Sequence, residues 1–175
     1  MPATFNDHCK SCPYNPANGH SESPNHRPPA PLHMEANSPL ALLIFQAPGP
    51  DEWAARKPIC STNPNSAAAR IRNSLVRIDK SRSGFSITNS TQCYPGKGNS
   101  IRDKAPLTSA RKCCVNWLKQ DIEAFAFSRI IVFGAKAKSS VTELGYANDP
   151  RFQFLRHPSG GLSNAVLDEA LRSVA

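Results

Sequence analysis

Six cysteines are the residues of this chain whose type and spacing point most directly to chemistry. They are Cys9, Cys12, Cys60, Cys93, Cys113 and Cys114. Cys9 and Cys12 form a C-x-x-C pair, a spacing shared by metal sites and redox-active dithiols. The redox form stands at the start of a helix that follows a strand, whereas "HCKSCPY" precedes every predicted strand. The pair is therefore interpreted as metal-ligating.

Polar residues that could act on a ligand come shortly after apolar runs. Gln46 follows "LALLIF" (40–45), Asn89 closes "GFSITN" (84–89), and His157 follows "RFQFL" (151–155) after one arginine. A fourth run, "RIIVFG" (129–134), ends in glycine. If these runs are parallel strands, their carboxyl ends meet at one edge of a sheet, where α/β proteins bind ligands.

Helical patterns between these runs supply the elements that would position the polar residues. Apolar residues recur at steps of three and four in 66–78 and 107–125, and two more helices are predicted, at 135–145 and from Ser163 or Asn164 to Leu171. Strands alternating with helices are typical of a parallel sheet covered on both faces. The stretch "QAPGPDE" (46–52) is interpreted as a rigid turn. The three arginines of the first helix are expected to be solvated: Arg70, Arg72 and Arg77.

Composition limits the class of protein. The 175 residues carry 21 Lys and Arg against 13 Asp and Glu, a net charge of +8 that favours a polyanionic partner such as nucleic acid. No apolar run approaches the roughly 20 residues of a membrane span, and the N-terminus lacks the apolar stretch of a signal peptide. We therefore expect a cytoplasmic protein with no membrane partner, whose cysteines are not disulfide-bonded. Residues 13–39 have the composition of a linker, and their three histidines are expected to be solvated: His20, His26 and His33.

Four motifs in order resemble the uracil-DNA glycosylase superfamily, in particular its class with an iron–sulfur cluster. "QAPGPDE" is similar to the family's Gly-Glu-Ala-Pro-Gly motif, "ITNSTQCYPG" (87–96) to Thr-Asn-x-x-x-Cys-x-Pro, "CCVNWL" (113–118) to Cys-x-x-x-Leu, and "HPS" (157–159) to the second active-site motif. The resemblance implies one domain over 1–175, with residues 1–38 as a cluster-binding arm and Pro-rich loop. It also implies an α/β fold, a three-layer α/β/α sandwich whose four-stranded parallel sheet has the order 2-1-3-4.

The resemblance also implies a ligand set for the cysteines, namely Cys9, Cys12, Cys93 and either Cys113 or Cys114. Four thiolates suit a 4Fe–4S cluster, with zinc as the alternative cofactor. Cys114 is favoured because it stands four residues before Leu118, as in the family motif, and shares a helix face with it. The cluster is expected to be structural. Cys60 is interpreted as a small buried hydrophobe.

The active-site roles likewise follow from the resemblance. His157 would donate a hydrogen bond to uracil O2 as charge develops there, and Asn89 would read the Watson–Crick edge of the base. Ala47, Pro48 and Gly49 would contact the substrate. The DNA backbone would be gripped by residues of the last strand's loop: Arg156, Pro158, Ser159 and Gly160.

Two positions depart from the family pattern. Ile59 stands where the family stacks an aromatic ring on the flipped base, and Gln46 stands where this class carries Glu. An amide can hold water but cannot act as a general base. Asp51 and Glu52 are nearby acids that could substitute. The implied activity is excision of uracil from DNA by a monomeric, monofunctional glycosylase that initiates base excision repair. The alternatives are a divergent member that binds uracil or abasic DNA with weak catalysis, and a zinc-stabilised nucleic-acid-binding protein.

Overall fold

The computed structural model describes residues 9–18, 31–98 and 103–174. Within these ranges the chain forms four strands and five α-helices. The strands are β1 (Ala41–Phe45), β2 (Ser86–Asn89), β3 (Arg129–Phe133) and β4 (Phe152–Leu155). The helices are α1 (Pro50–Ala55), α2 (Ala67–Arg77), α3 (Thr108–Glu123), α4 (Ala135–Glu143) and α5 (Asn164–Arg172).

The strands form one parallel sheet in the order β2-β1-β3-β4, as expected from the sequence. Phe45 at the end of β1 pairs with Asn89 at the end of β2, and Phe133 at the end of β3 pairs with Leu155 at the end of β4. The carboxyl ends therefore lie level, so the segments that follow the four strands share one edge of the sheet.

Helices cover both faces of the sheet, which confirms the three-layer arrangement. Alternate residues of β1 point to opposite faces, as the period of a strand requires. Leu43 and Phe45 pack with the apolar residues of α2 and α5. Leu42 and Ile44 pack with those of α3 and α4. Every residue of β1 is buried, which explains why the run is apolar without alternation.

Two serines begin the helices of one layer. Ser66 Oγ accepts a hydrogen bond from Ala69 N–H at 3.0 Å at the start of α2, and Ser163 Oγ accepts one from Val166 N–H at 3.3 Å at the start of α5. The final helix therefore begins after Ser163, one of the two caps proposed from the sequence.

Helix α1 corrects the interpretation of "QAPGPDE" as a turn alone. The turn ends at Gly49, and Pro50 opens a six-residue helix at its first position, where proline is well tolerated. Glu52 in the first turn reaches back so that its Oε2 accepts the Gly49 N–H at 3.0 Å. The proline followed by two acids is a helix-start signal, and it was missed because the glycine and prolines were interpreted only as turn residues.

Residues 31–35 cover the outer edge of β2. Glu35 and Ile87 exchange two backbone hydrogen bonds of 2.9 Å each, as an antiparallel bridge. This contact ties the segment before β1 to the sheet. His33 is exposed, as expected, and its ring meets Trp117 edge-on at 6.1 Å, whereas His20 and His26 lie outside the described residues. Within the described ranges, no helix has the length and apolarity to cross a membrane.

Candidate active site and cysteine cluster

A cleft of about 490 Å³ opens at the carboxyl edge of the sheet. Ten of the residues singled out in the sequence line it: Gln46, Ala47, Pro48, Gly49, Asp51, Glu52, Ile59, Asn89, His157 and Ser159. Arg156 and Gly160 are exposed and Pro158 is buried, and none of these three lines the cleft. The structure therefore brings together the residues from three separate motifs, while the basic residue of the last loop lies apart from them.

Two hydrogen bonds to the backbone carbonyl of Gln46 fix its position in the cleft. Its carbonyl oxygen accepts hydrogen bonds from Thr91 N–H at 3.0 Å and from Ser90 Oγ at 2.9 Å. Both donors belong to the segment after β2, so the two strand ends are joined at this point. The Gln46 side chain is half-buried and lines the cleft.

Asn89 lines the cleft and has a buried amide oxygen without a hydrogen-bond partner among the described residues. The residue is 2% exposed, and its Oδ1 accepts no hydrogen bond from any described residue. A buried amide oxygen without a donor costs on the order of 1–3 kcal/mol, and such orphans are rare in folded proteins. The position at the end of β2 and the missing donor are both what a ligand-reading side chain requires.

The surroundings of His157 favour a neutral imidazole ring whose only N–H donor is Nε2. Its Nδ1 accepts a hydrogen bond from the Ser159 N–H at 3.3 Å, which leaves the proton of the neutral ring on Nε2. Burial lowers the pKa of His157 from its usual 6.5, so the neutral form dominates at neutral pH. Gly134 lies against His157, since a Cβ built there would be in ordinary contact with His157 Cβ at 3.4 Å, and it is the φ of +93° that requires glycine at this position.

Arg70 fixes the loop that carries His157, and the expectation that it is solvated is wrong. Its guanidinium donates hydrogen bonds to the carbonyl oxygen of Pro158, to that of Leu162 at 2.6 Å and to Asn164 Oδ1 at 2.8 Å. Helical spacing placed Arg70 off the apolar face of α2, and no local pattern shows that a loop some 90 residues later lies against it. The other arginines of this helix also find partners, since Arg72 donates to the Ser61 carbonyl at 2.7 Å and Arg77 pairs with Asp168 at 2.6 Å.

Ile59 closes one side of the cleft in a strained conformation. Its side chain is 7% exposed, and its φ of +48° is unusual for a β-branched residue. Arg82 holds the segment by donating to the carbonyl oxygens of Pro58 at 2.5 Å and Ile59 at 2.8 Å. Glu35 in turn pairs with Arg82 at 2.5 Å. The strained backbone therefore persists because three bonds determine it.

The two acids that follow the first motif are committed to the local fold. Glu52 is 8% exposed, caps α1, and also accepts the Ser61 N–H at 3.4 Å. Asp51 Oδ2 accepts the Ser61 hydroxyl at 2.5 Å. A third acid, Asp103, also lines the cleft and was not singled out in the sequence, because it stands in a loop without a recognisable motif.

The four cysteines proposed as ligands are all buried and lie near one another. Each is 2–4% exposed; Cys9, Cys12 and Cys93 pack with Tyr14, Trp53 and Tyr94, and Cys114 lies close enough to Cys93 to raise its pKa. Burial raises the pKa of Cys114 to about 12 and that of Cys12 to about 11, and the neighbouring cysteines act in the same direction. The half-buried Cys113 lies at the margin of the cluster, with its Sγ 3.9 Å from Ser11 Oγ.

In residues 9–18, 31–98 and 103–174, no three His, Cys, Asp or Glu side chains are arranged to hold a metal ion. Trp117 donates its indole N–H to Cys9 Sγ at 3.4 Å, so this sulfur already has a hydrogen-bond partner. Cys60 lies apart from the cluster and is partly exposed, which corrects its interpretation as a buried hydrophobe.

The parallel sheet covered by helices makes this an α/β protein. Proteins of this class bind their ligands at the carboxyl ends of the strands, where the cleft lies. Within that class, residues 34–173 match the family model of the uracil DNA glycosylase superfamily. The match spans most of the chain and all four strands, and the protein belongs to this superfamily. A comparison with curated protein sequences gave no match.

Proposed function

We propose that the protein is a monofunctional uracil-DNA glycosylase, acting as a monomer, that hydrolyses the N-glycosidic bond of uracil in DNA and so initiates base excision repair. The observation that carries the proposal is the pairing, in one cleft, of the unpartnered Asn89 Oδ1 with a neutral His157 ring. Superfamily membership supports the reaction class, and the two side chains support the choice of a flipped base as ligand.

Asn89 reads the base in this proposal. An amide offers one acceptor and two donors, which match uracil N3–H and O4 together. Cytosine presents an unprotonated N3 and an exocyclic amine at the same edge, so it would place acceptor against acceptor and donor against donor. The unpartnered Oδ1 is the atom expected to accept the uracil N3–H.

His157 stabilises the charge that leaves with the base. As the bond between C1′ and N1 breaks, its electron pair moves onto the pyrimidine, and O2 becomes an anionic acceptor. A neutral ring with its proton on Nε2 can donate to that oxygen without first losing a proton to solvent. The lowered pKa of His157 and the Ser159 N–H on Nδ1 both favour that tautomer.

Gln46 positions water in the cleft and does not deprotonate it. Its amide oxygen can accept a hydrogen bond from water, but an amide has no basic site at neutral pH. The glycosidic bond breaks largely before the water attacks, so orientation alone supports turnover. The family resemblance assigns no lysine nucleophile, and of the two lysines that line the cleft Lys97 is paired with Asp103, so we expect an abasic site as the product.

DNA contacts come from the rim of the cleft. Lys97 and Lys104 line it, and Ser159 and Arg156 are exposed on the last loop. Phosphate contacts of this kind position the strand without reading sequence. Ile59 covers one face of the base with an aliphatic side chain in place of an aromatic ring.

We also propose that Cys9, Cys12, Cys93 and Cys114 hold a 4Fe–4S cluster. Cys9, Cys12 and Cys93 share an apolar enclosure, the buried Cys114 lies close enough to Cys93 to raise its pKa, and four thiols are a donor set that suits iron–sulfur ligation. Zinc at about 2.3 Å from each sulfur would need the sulfurs about 3.8 Å apart in a tetrahedron. The choice of a 4Fe–4S cluster over zinc rests on the resemblance of these cysteines to the family's ligand pattern. Such a group would fasten the N-terminal segment to β2 and α3.

Single-turnover release of uracil tests the proposal. Excess protein is mixed with single- or double-stranded oligonucleotides that carry one uracil, and abasic sites are counted after alkaline cleavage. We expect release by the wild type, a loss of 10²-fold or more in His157→Ala, and no cleavage of cytosine-containing controls. DNA binding without release at any enzyme concentration would instead establish the second candidate, a uracil- or abasic-site binder, which Gln46 and Ile59 favour.

A further inference from the structure

Three carboxylates border the cleft, although its proposed ligand is a polyanion. They belong to Asp51, Glu52 and Asp103. Each places negative charge where DNA phosphates approach, so each needs a physical reason to be there. Glu52 and Asp51 have one, because their oxygens cap α1 and accept the Ser61 hydroxyl.

Asp103 is arranged differently, with its two oxygens facing different surroundings. Its Oδ1 accepts hydrogen bonds from the Tyr94 hydroxyl and the Lys97 ammonium, both at 3.0 Å. Its Oδ2 has no hydrogen-bond donor among the described residues. That oxygen lies against the floor of the cleft, since a Cβ placed on Gly49 would be 3.5 Å from it.

Two anchors therefore hold the Asp103 carboxylate by Oδ1, and no described residue donates a hydrogen bond to the Oδ2 that lies near Gly49. The side chain is 37% exposed, so solvent reaches it. Gly49 is the fourth residue of the turn that begins at Gln46. Asp103, Gly49 and Gln46 all line the same cleft.

We propose that Asp103 is the catalytic carboxylate of this glycosylase and takes the part that Gln46 cannot play. The proposal rests on the function proposed above. As the bond between C1′ and N1 breaks, its electron pair leaves with the base toward the His157 donor. The water oxygen forms the new bond to C1′, and Asp103 Oδ2 accepts one water proton. Gln46 holds the same water by its amide oxygen.

The carboxylate also acts by its charge. The sugar becomes oxocarbenium-like when the bond breaks, and a fixed negative charge nearby stabilises that state more than the ground state. Lys97 partly neutralises this charge through its ion pair with Asp103 Oδ1 and makes no ion pair with Oδ2. The negative charge of Asp103 therefore weakens the binding of DNA but stabilises the positively charged transition state.

An alternative reason for Asp103 is that it only latches its loop through Lys97 and Tyr94. The two roles predict different variants. A latch is broken equally by removing Lys97 or Asp103, whereas a catalytic carboxylate is lost only in the second case. Asn at position 103 retains an oxygen for the Tyr94 hydroxyl, so the variant keeps one anchor.

The experiment measures single-turnover uracil release and DNA affinity for Asp103→Asn, Lys97→Met, Gln46→Glu and the double variant Asp103→Asn/Gln46→Glu, each checked for a native circular dichroism spectrum. We expect Asp103→Asn to lose 10- to 100-fold in rate while binding DNA as tightly as the wild type or more tightly, because a repulsive charge has gone. Lys97→Met should lose at least 5-fold less rate than Asp103→Asn, because Lys97 only anchors Oδ1 and the Asp103 carboxylate remains. The Glu introduced at position 46 should restore at least 10-fold in the Asp103→Asn background.

Three outcomes would overturn the proposal: an Asp103→Asn rate within 2-fold of wild type, an equal loss in Lys97→Met, or no recovery in the double variant. An unfolded Asp103→Asn protein would be replaced by Asp103→Ser, tested against the same criteria. A wild type that releases no uracil would refute the glycosylase function itself, and this result is distinct from an active wild type with an equally active Asp103→Asn.

Discussion

Replacing Arg70 with Gln should loosen the loop that carries His157 and so reduce both stability and catalysis. The Arg70 guanidinium joins α2 to the carbonyl oxygens of Pro158 and Leu162 and to Asn164 Oδ1. The first of these bonds lies directly beside His157. The Gln side chain is shorter and can replace at most one of the three bonds.

The size of the effect follows from those bonds. A hydrogen bond to a charged donor contributes about 1.5–3 kcal/mol, and the half-buried position of Arg70 argues for the lower end. Losing two such bonds should cost about 3 kcal/mol. For a domain of this size that corresponds to a fall in Tm of about 6–12 °C. If half of that free energy is lost from the orientation of His157 in the transition state, the rate falls about tenfold.

The assay combines thermal unfolding with single-turnover uracil release at saturating enzyme. Arg77→Gln is the matched control, because Arg77 also joins α2 to the last helix, by bonds to Asp168 of 2.8 and 2.6 Å, but stands away from the cleft. We expect Arg77→Gln to lower Tm slightly and to leave the rate unchanged. Arg70→Lys, which keeps the charge, should recover part of the rate.

The reasoning would be refuted by an Arg70→Gln protein with wild-type Tm. It would also be refuted if Arg77→Gln lost as much rate as Arg70→Gln, because the loss would then come from general loosening of α2 against α5. Substrate affinity should be little affected in either variant, since neither arginine lines the cleft.

Three further predictions address the core, the cysteines and the edge of β3. Burial raises the pKa of Asp121 from 3.8 to about 6, so ionising this side chain destabilises the folded state by at most about 3 kcal/mol. This destabilisation is absent below pH 3.8 and complete above pH 6. Asp121→Asn should therefore raise Tm at pH 7.5 but not at pH 4, and a Tm difference that does not depend on pH would contradict this. Cys114→Ala should abolish bound iron and sulfide while Cys113→Ala retains them, and the reverse result would assign the ligand to Cys113. Gly134→Ala should lower the free energy of unfolding, measured with denaturant, by about 1–3 kcal/mol, because alanine is strained at φ +93°. It should also slow uracil release, because the added Cβ would contact His157. If neither value changes, the position tolerates a side chain.

The fold could be predicted from the sequence because its signals are local. Four short apolar runs bounded by turn residues mark buried strands, and the apolar spacing of α2 and α3 marks their buried faces. The predicted segments agree with the observed elements to within about two residues at most ends. The order of strands required the family resemblance, since nothing local in a strand specifies its neighbours.

The candidate site residues could be predicted from motifs, but the contacts that fix their positions could not. Asn89 and His157 stand at strand ends, where ligand contacts are expected in any sheet of this kind. Arg70 is separated from its partners on the His157 loop by 88 to 94 residues, and its role depends on how α2 packs beside α5. Asp103 was missed for the same reason, because only the folded loop brings it against Gly49.

A single short segment joins the cysteine cluster to the cleft. Asn89 ends β2 in the cleft, Cys93 is buried among the cysteines four residues later, and Tyr94 next to it donates to Asp103. Between them, Ser90 and the following residue bind the Gln46 carbonyl. The position of Cys93 therefore constrains Asn89 and, through the Tyr94 hydroxyl, the Asp103 carboxylate. A group bound by the cysteines would stabilise the cleft without touching the substrate, because both are fixed by the same stretch of backbone.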